Sequence, residues 1–212
     1  MRLYEARRDL YRRLAKEHGY KSRAAFKLIE ANEKYGFIRE GDAVVDFGAA
    51  PGGWLQVCSR LAGPLGRVVG VDIHEIHLKD RRVKTIVMDV NDPRVAGKVM
   101  AELGGPADVV LSDLSPTVSG VWELDQTRQV DLTLRVLELS ETVLKLDGRA
   151  FFKLFEGEGS QCVRDEFRKR FVTVRPLKPA ASRSVSSELY YFCEERKRIQ
   201  LGVSEKFCIP DH

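Results

Sequence analysis

The chain has 212 residues, 43% of them hydrophobic, and a formal net charge of +4. That length allows one large α/β domain with a substantial core, and no apolar run approaches the ~20 residues that cross a bilayer. The four cysteines, Cys58, Cys162, Cys193 and Cys208, stand far apart with no C-x-x-C pair, which argues against a metal cluster or a disulfide framework and for reduced thiols in a cytoplasmic protein; Met1–Glu5 shows no apolar secretory region.

The positive charge is concentrated at the start. Residues 1–40 hold 11 Lys+Arg against 6 Asp+Glu, whereas the remaining residues hold 24 against 25. Arg7, Arg8, Arg12, Arg13, Lys16, Lys21 and Arg23 are interleaved with Tyr4, Tyr11 and Tyr20. Basic residues among aromatics suit a phosphate backbone with unstacked bases. A solvated helix face is the plainer alternative. Ala24–Lys34 reads as a helix with Ala25, Leu28 and Ile29 on one face, stopped by Gly36.

Strands then alternate with helices. Ala43–Phe47 is the first strand, followed by a helix from about Trp54 to Leu61. Strands are expected over Arg67–Asp72, Thr85–Met88 and Asp108–Ser112, with a helix over Pro93–Leu103. A long helix over Gln126–Leu146 should stop at Gly148, before the very apolar and therefore central strand Arg149–Phe155. A helix over Gln161–Arg170 and strands over Phe171–Arg175 and Glu188–Glu194 complete the series. This β-α-β alternation predicts a doubly wound, mostly parallel sheet. The last two strands have no helix between them, so one is expected to run antiparallel.

The turn after the first strand, Asp46-Phe47-Gly48-Ala49-Ala50-Pro51-Gly52-Gly53-Trp54, reads as a ligand loop. Gly48, Gly52 and Gly53 remove Cβ atoms that would block a ligand's approach. The spacing is neither G-x-G-x-x-G nor G-K-[ST], so a dinucleotide or nucleoside triphosphate is disfavoured, and with it a dehydrogenase. Asp46, Asp72, Asp89 and Asp113 each close an apolar strand, at the sheet edge where ligands sit. An acidic rim suits a cationic ligand carrying hydroxyls and amines, and S-adenosylmethionine has all three. Asp72 is placed to accept from a ribose diol. Asp89 could accept from an adenine amino group or simply turn the chain in Asp89-Val90-Asn91-Asp92-Pro93.

Four polar residues interrupt patterned segments: Lys27, Asp113, Lys153 and Glu188. Lys153 lies in Phe151-Phe152-Lys153-Leu154-Phe155, where an ammonium must find a partner or reach the strand end. Burial and a second cation such as Lys27 would lower its pKa toward that of a general base. A structural ion pair would equally set it beside an acid.

Five segments in order, Ser22–Leu28, Asp46–Trp54, Ser112–Gly120, Phe152–Gly159 and Ser182–Tyr190, resemble the FtsJ/RrmJ family of S-adenosylmethionine-dependent ribosomal RNA 2′-O-ribose methyltransferases. The resemblance runs from about residue 20 to 195. It implies a Rossmann-like methyltransferase fold, a seven-stranded mostly parallel sheet with one antiparallel strand and helices on both faces. It puts the family's catalytic K-D-K-E set on Lys27, Asp113, Lys153 and Glu188. Its cofactor contacts fall on Gly52, Trp54, Asp72, Asp89 and Asp113. It also implies a uridine of large-subunit ribosomal RNA, free or in the large ribosomal subunit, as substrate. Residues 1–40 are then a basic helical segment contacting RNA through Arg7, Arg8, Arg12, Arg13, Lys21 and Arg23. Residues 41–195 form the methyltransferase domain and 196–212 a tail. The protein is expected to act as a monomer, with neither metal nor membrane. Thr117 stands where an asparagine is expected in P-N-x-S-G. The alternatives are a transfer RNA or cap ribose methyltransferase and a catalytically silent RNA-binding assembly factor.

Overall fold

The computed structural model describes the backbone of residues 3–182 and 186–198, and side chains from residue 10 onward within those ranges. The side chains of Tyr4, Arg7 and Arg8, residues 183–185 within the Ser182–Tyr190 motif, and tail residues 199–212 with Cys208 lie outside the described residues. Among the described residues no helix is long and apolar enough to cross a membrane.

The elements in order are α1 (Leu3–Glu17), α2 (Ala25–Tyr35), β1 (Ala43–Phe47), α3 (Gly53–Ala62), β2 (Arg67–Asp72), β3 (Val83–Val87), α4 (Val95–Leu103), β4 (Ala107–Ser112), α5 (Trp122–Val143), β5 (Leu144–Phe155), α6 (Ser160–Arg170), β6 (Phe171–Leu177) and β7 (Glu188–Arg196). The seven strands form one sheet in the order β3-β2-β1-β4-β5-β7-β6. Only β7 runs against its neighbours β5 and β6. The strand order reverses between β1 and β4, and a doubly wound sheet opens its ligand crevice at that switch point.

Alternation along the strands divides the core in two. Val45, Phe47 and Phe152 face α4, α5 and α6, where Val99, Leu137 and Phe167 meet them. Val44, Leu111, Phe151 and Tyr190 face α2 and α3 and pack with Leu28, Trp54 and Leu55. The second face carries the candidate site residues. Lys153 shares it with Phe151, and Glu188 shares it with Tyr190, because residues two apart on a strand point the same way. The β5–β7 register sets Lys153 opposite Tyr190 and Phe155 opposite Glu188.

Two sequence expectations need correction. The long helix covers Trp122–Val143 and is ended by pairing, not by Gly148: Leu144 already enters β5 opposite Ala107. It also starts a turn before Gln126, where Ser119 donates its N–H and Oγ–H to the Asp125 carboxylate at 2.9 and 2.8 Å. Of the tyrosines in the basic segment, Tyr20 belongs to the core. Tyr20 is buried, with its ring 5.7 Å from that of Phe26, and it accepts a hydrogen bond from Arg60 at 2.7 Å. Tyr11 also packs on Phe26. Hydrophobic burial takes the Tyr20 ring before any base can, whereas Tyr11 stays half-buried.

Candidate active site

A cavity of about 720 Å³ opens at the switch point, lined among others by Arg23, Lys27, Gly48, Asp72, Asp89, Asp113, Thr117, Lys153 and Glu188. Its two ends differ. One is a carboxylate rim from β2 and β3, the other a lysine–acid cluster from α2, β4, β5 and β7.

The rim is prepared by the loop after β1. Gly48 has φ +82°, and a Cβ there would stand 2.9 Å from Leu114. Gly52 has φ +104°, and its Cβ would crowd Ile76 and Leu78. The glycines therefore clear neighbouring protein segments, and only Gly48 among them lines the cavity. Asp72 accepts N–H bonds from Ala50 and His74, both at 2.9 Å. His74 Nδ1 adds a third contact 3.0 Å from Oδ1; together they fix the rim and leave one of the carboxylate's about four acceptor positions, on the Oδ2 side, for a ligand hydroxyl. Asp89 accepts the Asn91 N–H at 2.8 Å while its exposed side reaches the cavity, so it turns the chain and lines the site at once. Trp54 does neither of these things. Its indole is buried, donates to the Ala24 carbonyl at 2.7 Å and packs beside Phe151 and Tyr190. Any contact it makes with a ligand comes from its backbone N–H in the first turn of α3, where helical N–H groups are free.

Asp46 departs from the strand-end pattern. It shares the face of Val44, is almost fully buried and is absent from the cavity lining. Neither of its carboxyl oxygens has a partner. Burial raises its pKa well above the carboxylate range, and the charges of Asp113 and Asp72 add to that. Three strand-end aspartates, not four, reach the crevice.

The cluster is a connected network. Lys27 Nζ lies 2.7 Å from Glu188 Oε1 and donates to the Tyr190 hydroxyl at 2.9 Å. Tyr190 O–H donates to Asp113 Oδ1 at 2.7 Å. Lys153 Nζ lies 3.2 Å from the same oxygen, donates to the Asp113 carbonyl at 2.7 Å and also donates to Ser115 Oγ. All four catalytic candidates thus meet. Burial would raise the Asp113 pKa, but Lys153 and Lys27 outweigh it and hold the carboxyl below its usual range. Burial lowers the Lys153 pKa and Lys27 reinforces this, against the opposing charges of Asp113 and Glu188. Tyr190 is pushed well above the phenol range by burial and by those two acids, so it serves as a neutral bridge. The sequence reading missed it because it looks like one more core aromatic. The available signal was its place two residues after Glu188, on the same strand face.

Of the basic candidates, Arg12, Arg13 and Lys21 are exposed, whereas Arg23 is half-buried in the cavity wall. Thr117 sits at the cavity mouth and borders a smaller cleft with Arg128. Among the described residues no group of His, Cys, Asp and Glu is arranged to hold a metal.

A switch-point cavity with carboxylates at one end and, at the other, a buried lysine whose pKa is lowered by burial marks the ligand crevice of a doubly wound enzyme. The particular family follows from comparison: the FtsJ-like methyltransferase model matches residues 20–196, and the chain belongs to that family. It is 42% identical over 193 residues to the ribosomal RNA large subunit methyltransferase E of Nitrosopumilus maritimus, covering 91% of this chain and 98% of that one. To the protein of the same name from Methanothermobacter thermautotrophicus it is 44% identical over 187 residues, or 88% and 89% of the two chains. A Plasmodium falciparum structure described as a ribosomal RNA methyltransferase superposes with a TM-score of 0.74 at 25% identity, covering 84% of this chain and 98% of the other.

Proposed function

We propose that this protein transfers a methyl group from S-adenosylmethionine to the 2′-hydroxyl of a uridine in large-subunit ribosomal RNA, with Lys153 as general base. The observation that carries the reading is the placement of Lys153 Nζ, buried at the end of β5 and held against Asp113 and Ser115 in the cavity wall. The donor set fits the cofactor. Asp72 would hold a ribose hydroxyl, Asp89 its adenine amine, Asp113 its amino-acid end, and Gly52 and Trp54 would contribute backbone. When bound, S-adenosylmethionine supplies an electrophilic methyl group on a sulfonium.

The chain's own residues do the rest. A ribose hydroxyl is a weak nucleophile, so it must be aligned and relieved of its proton. Lys153 accepts that proton. The Asp113 carboxylate, fixed by Tyr190, stabilises the lysinium that results. Lys27, anchored by Glu188, steers the hydroxyl and keeps the Lys153 pKa low. The basic residues of segment 1–40 approach the RNA backbone, residues 41–195 hold the cofactor, and 196–212 form a tail. Under this reading the protein works in the cytoplasm as a monomer, without a metal ion.

The test uses the purified protein, labelled S-adenosylmethionine and unmodified large-subunit ribosomal RNA, free or in subunits, with transfer RNA and capped RNA as competitors. Label in ribosomal RNA at one uridine, resistant to alkaline cleavage on its 3′ side, supports the reading. Label confined to transfer RNA or cap, or binding without transfer, replaces it with one of the alternatives.

A further inference from the structure

We propose that the exposed indole of Trp122 is a stacking platform for a nucleobase adjoining the reacting nucleotide. The inference rests on the RNA reading above and adds a recognition site to it. Trp122 opens α5 and is 51% exposed. One of its faces is stacked on Phe155, with ring centroids 6.1 Å apart and planes at 21°. The Phe155 ring in turn lies 5.8 Å from Lys153 Nζ. The indole is therefore separated from the reacting amine by a single aromatic ring, and Phe155 leaves it a surface open to solvent.

The patch is concentrated and rigid. Of the ten exposed large hydrophobic residues among the described ones, Val118, Val121, Trp122 and Leu124 fall within seven consecutive positions. Concentrated exposed apolar groups mark contact surfaces. This segment continues the loop that carries Asp113 and Ser115, the partners of Lys153, and Pro116 and Thr117 of the cavity wall. It is tied down on both sides. Ser119 is bound to the buried Asp125 carboxylate, and the Gln126 amide donates to the carbonyls of Phe155 at 2.8 Å and Glu158 at 3.2 Å. A ring already locked in place loses little freedom on binding.

The chemistry selects the occupant. Presenting one ribose hydroxyl to a buried amine requires its nucleotide to leave the stack. Its neighbour then loses a stacking partner, and a flat, fixed aromatic face supplies a replacement for any base. Arg128, exposed beside Thr117 and Pro116 in the adjoining smaller cleft that also holds Asp131, offers the flanking phosphate a cation. Tyr20 of the N-terminal segment cannot play this part, since its ring is buried against Phe26.

The experiment compares wild type, Trp122→Ala and Trp122→Phe on an in-vitro-transcribed, unmodified large-subunit ribosomal RNA, measuring the Kd for the transcript, KM and kcat, and cofactor affinity by calorimetry. Trp122→Ala should weaken RNA binding and raise KM by about 5- to 150-fold, the worth of one base stacked on an aromatic ring. Trp122→Phe should recover most of this, and cofactor affinity should be unchanged in both. An unaltered Kd and KM in Trp122→Ala overturns the platform. So does a defect seen only on assembled subunits and not on naked RNA, which would assign the patch to a protein partner. If wild type methylates no RNA, the functional reading fails instead, and the transcript Kd still decides the platform.

Discussion

Lys153→Ala is the perturbation that the geometry constrains most tightly. An ordinary lysine, with a pKa near 10.4, is neutral in about one molecule in a thousand at pH 7.4. Each unit by which burial and Lys27 lower the Lys153 pKa multiplies that fraction tenfold, and the direction of the shift is downward. Removing a positioned general base costs about 10²–10⁴-fold in rate. The network limits collateral damage: Asp113 keeps the Tyr190 hydroxyl at 2.7 Å, and Lys27 keeps Glu188 at 2.7 Å. Single-turnover methyl transfer should therefore collapse while cofactor affinity and the unfolding transition stay near wild type. The wild-type rate should rise tenfold per pH unit while Lys153 is protonated, then level off below the pH of an ordinary lysine titration. Lys153→Arg keeps a positive charge but cannot accept a proton, so it should be nearly as inactive as Ala. Near-normal transfer by Lys153→Arg, or a flat pH profile, would refute the base assignment and make the lysine an electrostatic positioner. Asp113 would then be the first candidate to examine.

Asp72→Ala should weaken S-adenosylmethionine binding by about 1–3 kcal/mol, the usual cost of losing a buried hydrogen-bonding group; unchanged affinity by calorimetry would remove Asp72 from the site. Replacing Arg7, Arg8, Arg12 and Arg13 by alanine should flatten the salt dependence of RNA binding by about 0.7–0.9 in log–log slope per lost phosphate contact, with cofactor affinity retained. An unchanged slope would leave that stretch as a solvated face. Asp46→Asn should stabilise the protein at neutral pH. The raised folded pKa of Asp46 means that stability is lost as pH climbs above its unfolded value of about 3.9, and asparagine has no proton to lose. The gain in urea midpoint should grow from pH 5 to pH 8, and a gain independent of pH would contradict a buried neutral carboxyl.

What could be read in the sequence, and what could not, follows from the range of the interactions involved. Strand cores were legible because a strand buried on both faces is a run of apolar residues: Arg67–Asp72 and Ala43–Phe47 match the structure at both ends. The end of α5 was not legible, because Leu144 leaves the helix to pair with Ala107, a partner 37 positions away. Nor was the fate of Tyr20, which depends on Phe26 and Arg60 folding over it. The same limit applies to Trp122. Its ring gains meaning only when the end of β5 brings Phe155 beneath it.

The two buried cations of β5 show why composition alone does not separate structure from chemistry. Arg149 and Lys153 lie four residues apart on the same strand face, and both are at least 94% buried. Arg149 ends up at the edge of the sheet away from the cavity, where its guanidinium donates to the Phe37 carbonyl at 2.8 Å and to the Asp42 carboxylate at 3.0 Å. A guanidinium stays charged under any such conditions, so this pair can only hold β5 to the loop after α2. Lys153 lies at the opposite end, against a carboxylate shared with a tyrosine and in the field of a second lysine. An ammonium can lose its proton there, and the acid that would otherwise hold that proton is already engaged by Tyr190. A chemically useful cation thus needs three things together: a side chain that can deprotonate, a place at the carboxyl end of the sheet, and a counter-charge that is partly spent elsewhere. Lys153 meets all three, whereas Arg149 fails the first two, although its partner Asp42 also accepts the Arg39 N–H at 2.7 Å; on that ground we assign Lys153 to the proposed reaction and Arg149 to the scaffold.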